Sequence, residues 1–137
     1  RKKAKEEGKE IIIIDGPPGI GCPVIAAVSG VDYVVLITEP SLSGLSDLQR
    51  VFDLVQKFNV KAGLIINKSD INDKMATKME NWAMESGLEF LGKLPFDETV
   101  VKAMTEKLSI PEYDKNSAVS KKIEEIIPQI MKYKTAG

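Results

Sequence analysis

The stretch Ile11-Ile12-Ile13-Ile14-Asp15-Gly16-Pro17-Pro18-Gly19-Ile20-Gly21-Cys22 decides how the chain is read. Four consecutive isoleucines are β-branched and apolar on both faces of a strand. They predict a central, doubly covered strand of a parallel sheet. The run stops at Asp15. Gly16, Gly19 and Gly21 open tight backbone angles, and Pro17 and Pro18 fix φ and remove donors, so the strand gives way to a loop. In open α/β sheets ligands bind at the carboxyl ends of strands. An acid there, ahead of a glycine-rich loop, can reach Mg²⁺, often through a water, in phosphate-handling folds. The plainer reading is a strand ended by a capping Asp and a turn.

Outward from this stretch, strand and helix patterns alternate. Residues 1–10 form a charged lead-in, read as a helix tail or a solvated face. Residues 23–29 suit a short helix with Pro23 in its first turn and Gly30 at its end. Residues 32–38 (DYVVLIT) and 60–67 (VKAGLIIN) are apolar, β-rich runs of the buried type. Between them Leu45, Leu48, Val51, Phe52 and Val55 recur at three and four residues, predicting an amphipathic helix over about 45–58.

Asp70 or Asn72 caps the next helix, 73–86, and Gly87 stops it. Its Met75, Met79, Trp82 and Ala83 share one face, read as core rather than as a cofactor box. Residues 88–94 are a weaker strand, Asp97 caps a helix over 98–106, and 109–116 are expected to be irregular. The last helix, 117–133, carries an apolar stripe of Val119, Ile123, Ile126, Ile127 and Ile130. Pro128 is expected to kink or split it. Its mixed face of Lys121, Lys122, Glu124 and Glu125 favours docking on the sheet over binding a membrane. The pattern predicts one α/β domain, 1–137, with a mostly parallel sheet, right-handed crossovers and helices on both faces.

Composition excludes several classes. The chain has 137 residues, 19 Lys and Arg against 20 Asp and Glu, and a net charge of −1. That length allows a real core, and the balanced charge offers no basic stripe to nucleic acid. A single cysteine rules out an intrachain disulfide framework and suits a reducing cytoplasm. No transmembrane run or signal-peptide pattern occurs. With no histidine, His acid–base chemistry and His metal sites are excluded. The first residue is Arg rather than Met, which leads us to expect a piece of a longer protein.

Three strand ends carry polar residues: Asp15 with its loop, residues 67–70, and residues 95–97. In a parallel sheet such ends lie along one edge and can converge on one ligand. Asn67-Lys68-Ser69-Asp70 is also an NKxD sequence, the guanine-reading motif of GTPases, whose carboxylate pairs with two guanine N–H donors. A guanine site therefore stands as an alternative.

The run IIIIDGPPGIGCPVIAAVSGVDYVVLITEPSLSGLSDLQRV resembles the Walker B and switch II region of the MinD/Mrp/ParA ATPases. It is closest to the MinD-like ATPases that carry an inserted ferredoxin domain, and the likeness runs from about Glu10 to about Met131. The resemblance implies a three-layer P-loop NTPase fold of the SIMIBI class that binds ATP or ADP with Mg²⁺. It implies that Asp15 serves Mg²⁺, through water, and the attacking water. It makes the loop Gly16 to Gly21 a switch responding to the γ-phosphate, with Gly16, Pro17, Pro18 and Gly19 binding nucleotide, and Asn67, Pro95 and Asp97 the holders of adenine. It also implies a dimer around nucleotide whose hydrolysis drives a partner or an iron–sulfur process. Cys22 stands seven residues after Asp15, a spacing like that of the cluster cysteine in the nitrogenase iron protein. One cysteine is too few for that site, so a plain buried or loop thiol is favoured over a redox or cluster role.

Neither Gly-x-x-x-x-Gly-Lys-Ser/Thr nor the family's Lys-Gly-Gly variant occurs. The resemblance puts that loop upstream of Ile11. The expected partners are therefore an N-terminal P-loop half and a second copy, met through the nucleotide face or an exposed sheet edge. The chain alone is expected not to hydrolyse ATP, and a non-catalytic interaction module is the remaining alternative. In the resembled fold the P-loop strand lies between Ile11–Ile14 and the next strand, so its absence is expected to leave a gap there or to let Ile11–Ile14 pair with Tyr33–Ile37.

Overall fold

The two buried-type runs in the middle of the chain become strands; the isoleucine run does not. The computed structural model describes residues 2–133. Arg1, counted above in the charged lead-in, and residues 134–137 of the expected domain lie outside the described residues. Strands β1 (Tyr33–Thr38), β2 (Lys61–Ile66) and β3 (Glu89–Lys93) form one parallel sheet in the order β1-β2-β3. Tyr33 pairs with Lys61 and Thr38 with Ile66, while the β2–β3 register shifts between Leu64 and Ile65, near Gly92.

Around the sheet run α1 (Lys2–Glu6), α2 (Cys22–Val28), α3 (Leu42–Lys57), α4 (Asp73–Ser86), α5 (Glu98–Thr105), α6 (Ile110–Tyr113) and α7 (Ala118–Met131). Alternation along β2 divides the core. Leu64 and Ile66 face Leu45, Leu48, Phe52 and Val55 of α3, Ala76, Met79 and Ala83 of α4, and Val24 and Val28 of α2. Ile65 faces the other way, onto Leu91 and Ile126 of α7. The sheet thus lies between two helical layers, as the alternating pattern requires. The Met–Trp face of α4 is core, with Trp82 edge-on to Phe52 at 5.8 Å.

The helix caps follow the residues that encode them. Asn72, not Asp70, caps α4 by accepting from the Met75 amide, and Asp97 caps α5 by accepting from the Thr99 amide. Three expectations need correction. The segment expected to be irregular contains α6, because Ser109 and Glu112 form a capping box. α7 is one helix through Pro128 rather than two; the ring lies in its exposed last turn, where a missing donor disturbs little.

The third correction is the largest. Ile11–Ile14 form no strand: they join no ladder of the sheet and are exposed, Ile13 by 91%. Isoleucine favours the extended conformation, but a strand needs a neighbour for its backbone groups. β1 bonds to β2 on one side, and the isoleucines do not lie in its ladder on the other. Of the two outcomes foreseen for this segment, direct pairing with β1 does not occur.

Candidate functional site

The carboxyl ends of the three strands are bonded to one another. The Asn67 amide donates to the Thr38 carbonyl at 2.8 Å, carrying the β1–β2 ladder one residue further. The Leu94 amide donates to the Ile66 carbonyl at 2.8 Å, and the Ser69 amide donates to the Leu94 carbonyl at 2.9 Å. Asn67 and the residues around Pro95 are therefore neighbours at one edge.

The β1 tip turns sharply into α3. Ser41 accepts the Gly44 amide at 2.9 Å and the Thr38 hydroxyl donates to the Gly44 carbonyl at 3.3 Å. A Cβ on Gly44 would collide with the Glu39 carbonyl oxygen, so only glycine allows this approach. The turn presents Glu39 to Lys68, whose ammonium lies 2.8 Å from Oε1. Lys68 is left-handed, φ 50° and ψ 44°, a conformation that costs a non-glycine residue about 1–2 kcal/mol. Two contacts hold it there: its amide donates to the Asn67 Oδ1 at 2.9 Å, and its ammonium reaches Glu39. This turn leads into the 3₁₀ segment Ser69–Ile71.

Asn67, Pro95 and Asp97 are half-buried at this edge, and Phe96 between them is 49% exposed. The Thr99 hydroxyl and amide hold the Asp97 carboxyl below the usual carboxylate range. Glu39 was not singled out in the sequence, Lys68 stood there only inside the NKxD motif, and Phe96 only as a member of residues 95–97. An aromatic between two expected base-holding residues is the one signal that could have found Phe96.

Asp15 lies outside the bonded junction and the sheet, in the exposed segment that follows the isoleucines, as do Gly16, Pro17, Pro18 and Gly19, with a bend from Pro18. The loop runs beside α2, where a Cβ on Gly16 would lie 3.8 Å from the Ala27 Cβ. Cys22 is a free thiol at the first residue of α2, and it is exposed rather than buried. A groove of about 420 Å³ between α3 and α4, lined by Leu45, Lys74 and Trp82, holds none of the expected site residues.

Among the described residues no group of three or more His, Cys, Asp or Glu is gathered to hold a metal ion. One carboxylate such as Asp15 fits Mg²⁺, which completes its shell with water and phosphate oxygens. The single thiol of Cys22 does not fit a cluster that needs four thiolates. Among the described residues no helix is long and apolar enough to cross a membrane.

A family model described as ParA, NUBPL iron-transfer P-loop NTPase, matches residues 4–131. The uncharacterized protein MJ0578 of Methanocaldococcus jannaschii is 32% identical over 133 residues, 97% of this chain and 44% of that protein. A second protein of that organism, the uncharacterized ATP-binding protein MJ0823, is 33% identical over 126 residues, 91% of this chain and 48% of that protein. The chain thus spans less than half the length of either relative. The cell division ATPase MinD of Pyrococcus furiosus superposes with a TM-score of 0.78, covering 96% of this chain and 55% of that one. At 22% identity the likeness to MinD speaks to the fold.

Proposed function

Because the chain belongs to the ParA family of P-loop NTPases, we propose that it supplies the base side of a MinD/ParA-like ATP site, with Asn67, Pro95 and Asp97 holding adenine. The observation that supports this most is the bonded junction of strand ends, in which Thr38 joins Asn67 and Leu94 joins both Ile66 and Ser69. Ligands of parallel sheets bind at such ends. The Asn67 side chain can offer an amide donor to an adenine ring nitrogen while its oxygen keeps the Lys68 amide.

Asp15 is the acid proposed to hold Mg²⁺ through water and to orient the attacking water. When bound, the ion neutralises charge on the phosphate oxygens. The segment 16–19 answers the γ-phosphate through the Gly16 and Gly19 amides. Its exposure suits an element that orders only when the phosphate is present. The phosphate-gripping loop belongs to another part of the protein, and two copies meet across the nucleotide face. The iron-transfer description of the family supports coupling of nucleotide state to iron–sulfur cargo.

The test is a ¹⁵N–¹H titration of the chain with millimolar adenosine, Mg·ADP and ribose 5-phosphate. Amides of Asn67, Phe96 and Asp97 are expected to move with the first two ligands and not with the third. Unmoved amides would sink the reading. ATP turnover by the purified chain, abolished in Asp15→Asn, would overturn the assignment of phosphate chemistry to another segment.

A further inference from the structure

We propose that Asp70 is a positioning residue of the base site, fastening the β3 tip to the β2 tip, and not a reader of guanine. This rests on the base site argued above. As a guanine reader, the last residue of Asn67-Lys68-Ser69-Asp70 must offer both carboxylate oxygens to two N–H donors of the base. Here one oxygen is engaged within the protein. Oδ1 of Asp70 accepts the amide of Phe96 at 2.7 Å, from 26 residues further along the chain. A bond that short to a charged acceptor is of the strong kind.

The bond completes a set. Leu94 donates its amide to Ile66 and accepts from Ser69, Pro95 has no donor, and Phe96 donates to Asp70. Every backbone donor from 94 to 96 is thus taken up by the β2 tip. The clasp has three bonds, two at Leu94 before Pro95 and one at Phe96 after it, and it sets the direction in which Pro95 and Asp97 leave the sheet. The left-handed turn at Lys68 leads directly into the Ser69–Ile71 segment that carries Asp70. Removing the carboxylate frees the Phe96 amide and loosens the segment that carries two of the three proposed adenine contacts.

Asp70→Ala and Asp70→Asn separate the two roles. Asparagine keeps an acceptor oxygen for Phe96 but cannot accept two guanine donors. The measurements are hydrogen exchange of the Phe96 amide and ¹⁵N–¹H titrations with Mg·ADP and with Mg·GDP. In Asp70→Ala, Phe96 exchange is expected to quicken and the apparent ADP affinity to fall about tenfold, as for one lost hydrogen bond to a charged group. Asp70→Asn is expected to restore both. The proposal is overturned if Asp70→Ala leaves Phe96 exchange or ADP affinity unchanged. It is also overturned if the parent chain responds to GDP and both variants lose that response. A parent chain that answers neither nucleotide ends both the base site and the positioning role, and Phe96 exchange then reports the clasp as a purely structural bond.

Discussion

The hydroxyl of Tyr33, at the start of β1, donates a 2.9 Å hydrogen bond to Oε2 of Glu89, at the start of β3, spanning the full width of the sheet. The path crosses β2 at Gly63, where a Cβ would collide with the Tyr33 hydroxyl and the Leu91 side chain. The same carboxylate accepts the Tyr133 hydroxyl at 2.7 Å and the Lys132 ammonium at 2.5 Å. The two tyrosine rings stack with centroids 4.2 Å apart. Glu89 thereby ties the residues just after α7 to the amino-terminal edge of the sheet, opposite the strand ends that carry the candidate site.

Removing this acceptor is expected to destabilise the fold. Glu89→Ala strands the half-buried Tyr33 hydroxyl and should cost about 1–3 kcal/mol in urea unfolding. Glu89→Gln keeps an acceptor and should cost less. Acid gives an independent check. Burial by itself raises the Glu89 pKa, but hydrogen bonds from Lys132, Tyr133 and Tyr33 together outweigh it and bring the group below its ordinary 4.5. A depressed folded pKa contributes stability above the unfolded value, lost as pH falls through the folded one. The stability difference between the parent and Glu89→Gln is therefore expected to hold above pH 4.5 and to shrink below it. A difference independent of pH would refute the role of the charge.

Alkaline titration reads the same cluster from the tyrosine side. Burial, and then the hydrogen bond and charge of Glu89, push the Tyr33 phenol well above its ordinary 10.0. The Tyr133 phenol is also raised, chiefly by its hydrogen bond to Glu89. A raised folded pKa gives stability that is whole below the unfolded value and lost as pH rises through the folded one. The phenolate absorbance of Tyr33, isolated by difference from Tyr33→Phe, is expected to appear well above pH 10.0 and earlier in Glu89→Gln. An ordinary titration of Tyr33 in the parent chain would contradict the buried contact.

What the sequence discloses depends on how far apart the interacting residues lie. Leu45, Leu48, Phe52 and Val55 mark one helix face within eleven residues, and that face packs where the spacing predicts. Asn72, Asp97 and Gly87 mark helix ends by local chemistry and act there. The Tyr33–Glu89 bond spans 56 residues and the Asp70–Phe96 bond 26, and neither leaves a local pattern. Gly63 within an apolar run was the single hint of a close approach. Half of the candidate site was legible because strand ends meet wherever strands pair. The strand expected before Asp15 was not legible, because four isoleucines state a preference for extended backbone and say nothing of the neighbour that must receive it.

That last point can be measured. If Ile11–Ile14 formed the central strand that their composition predicts, a lysine among them would bury a charge at a cost of several kcal/mol. In the observed chain Ile13 is 91% exposed and pairs with nothing in the sheet. Ile13→Lys is therefore expected to change stability by no more than about 0.5 kcal/mol, the range of ordinary surface substitutions. Leu64→Ala, at a β2 position with no exposure, is expected to cost about 2–5 kcal/mol. Trp82, packed edge-on against Phe52, supplies the fluorescence signal for both unfolding curves. Equal losses in the two variants would mean that the isoleucines are buried against a strand after all, and that Asp15 stands at the end of it.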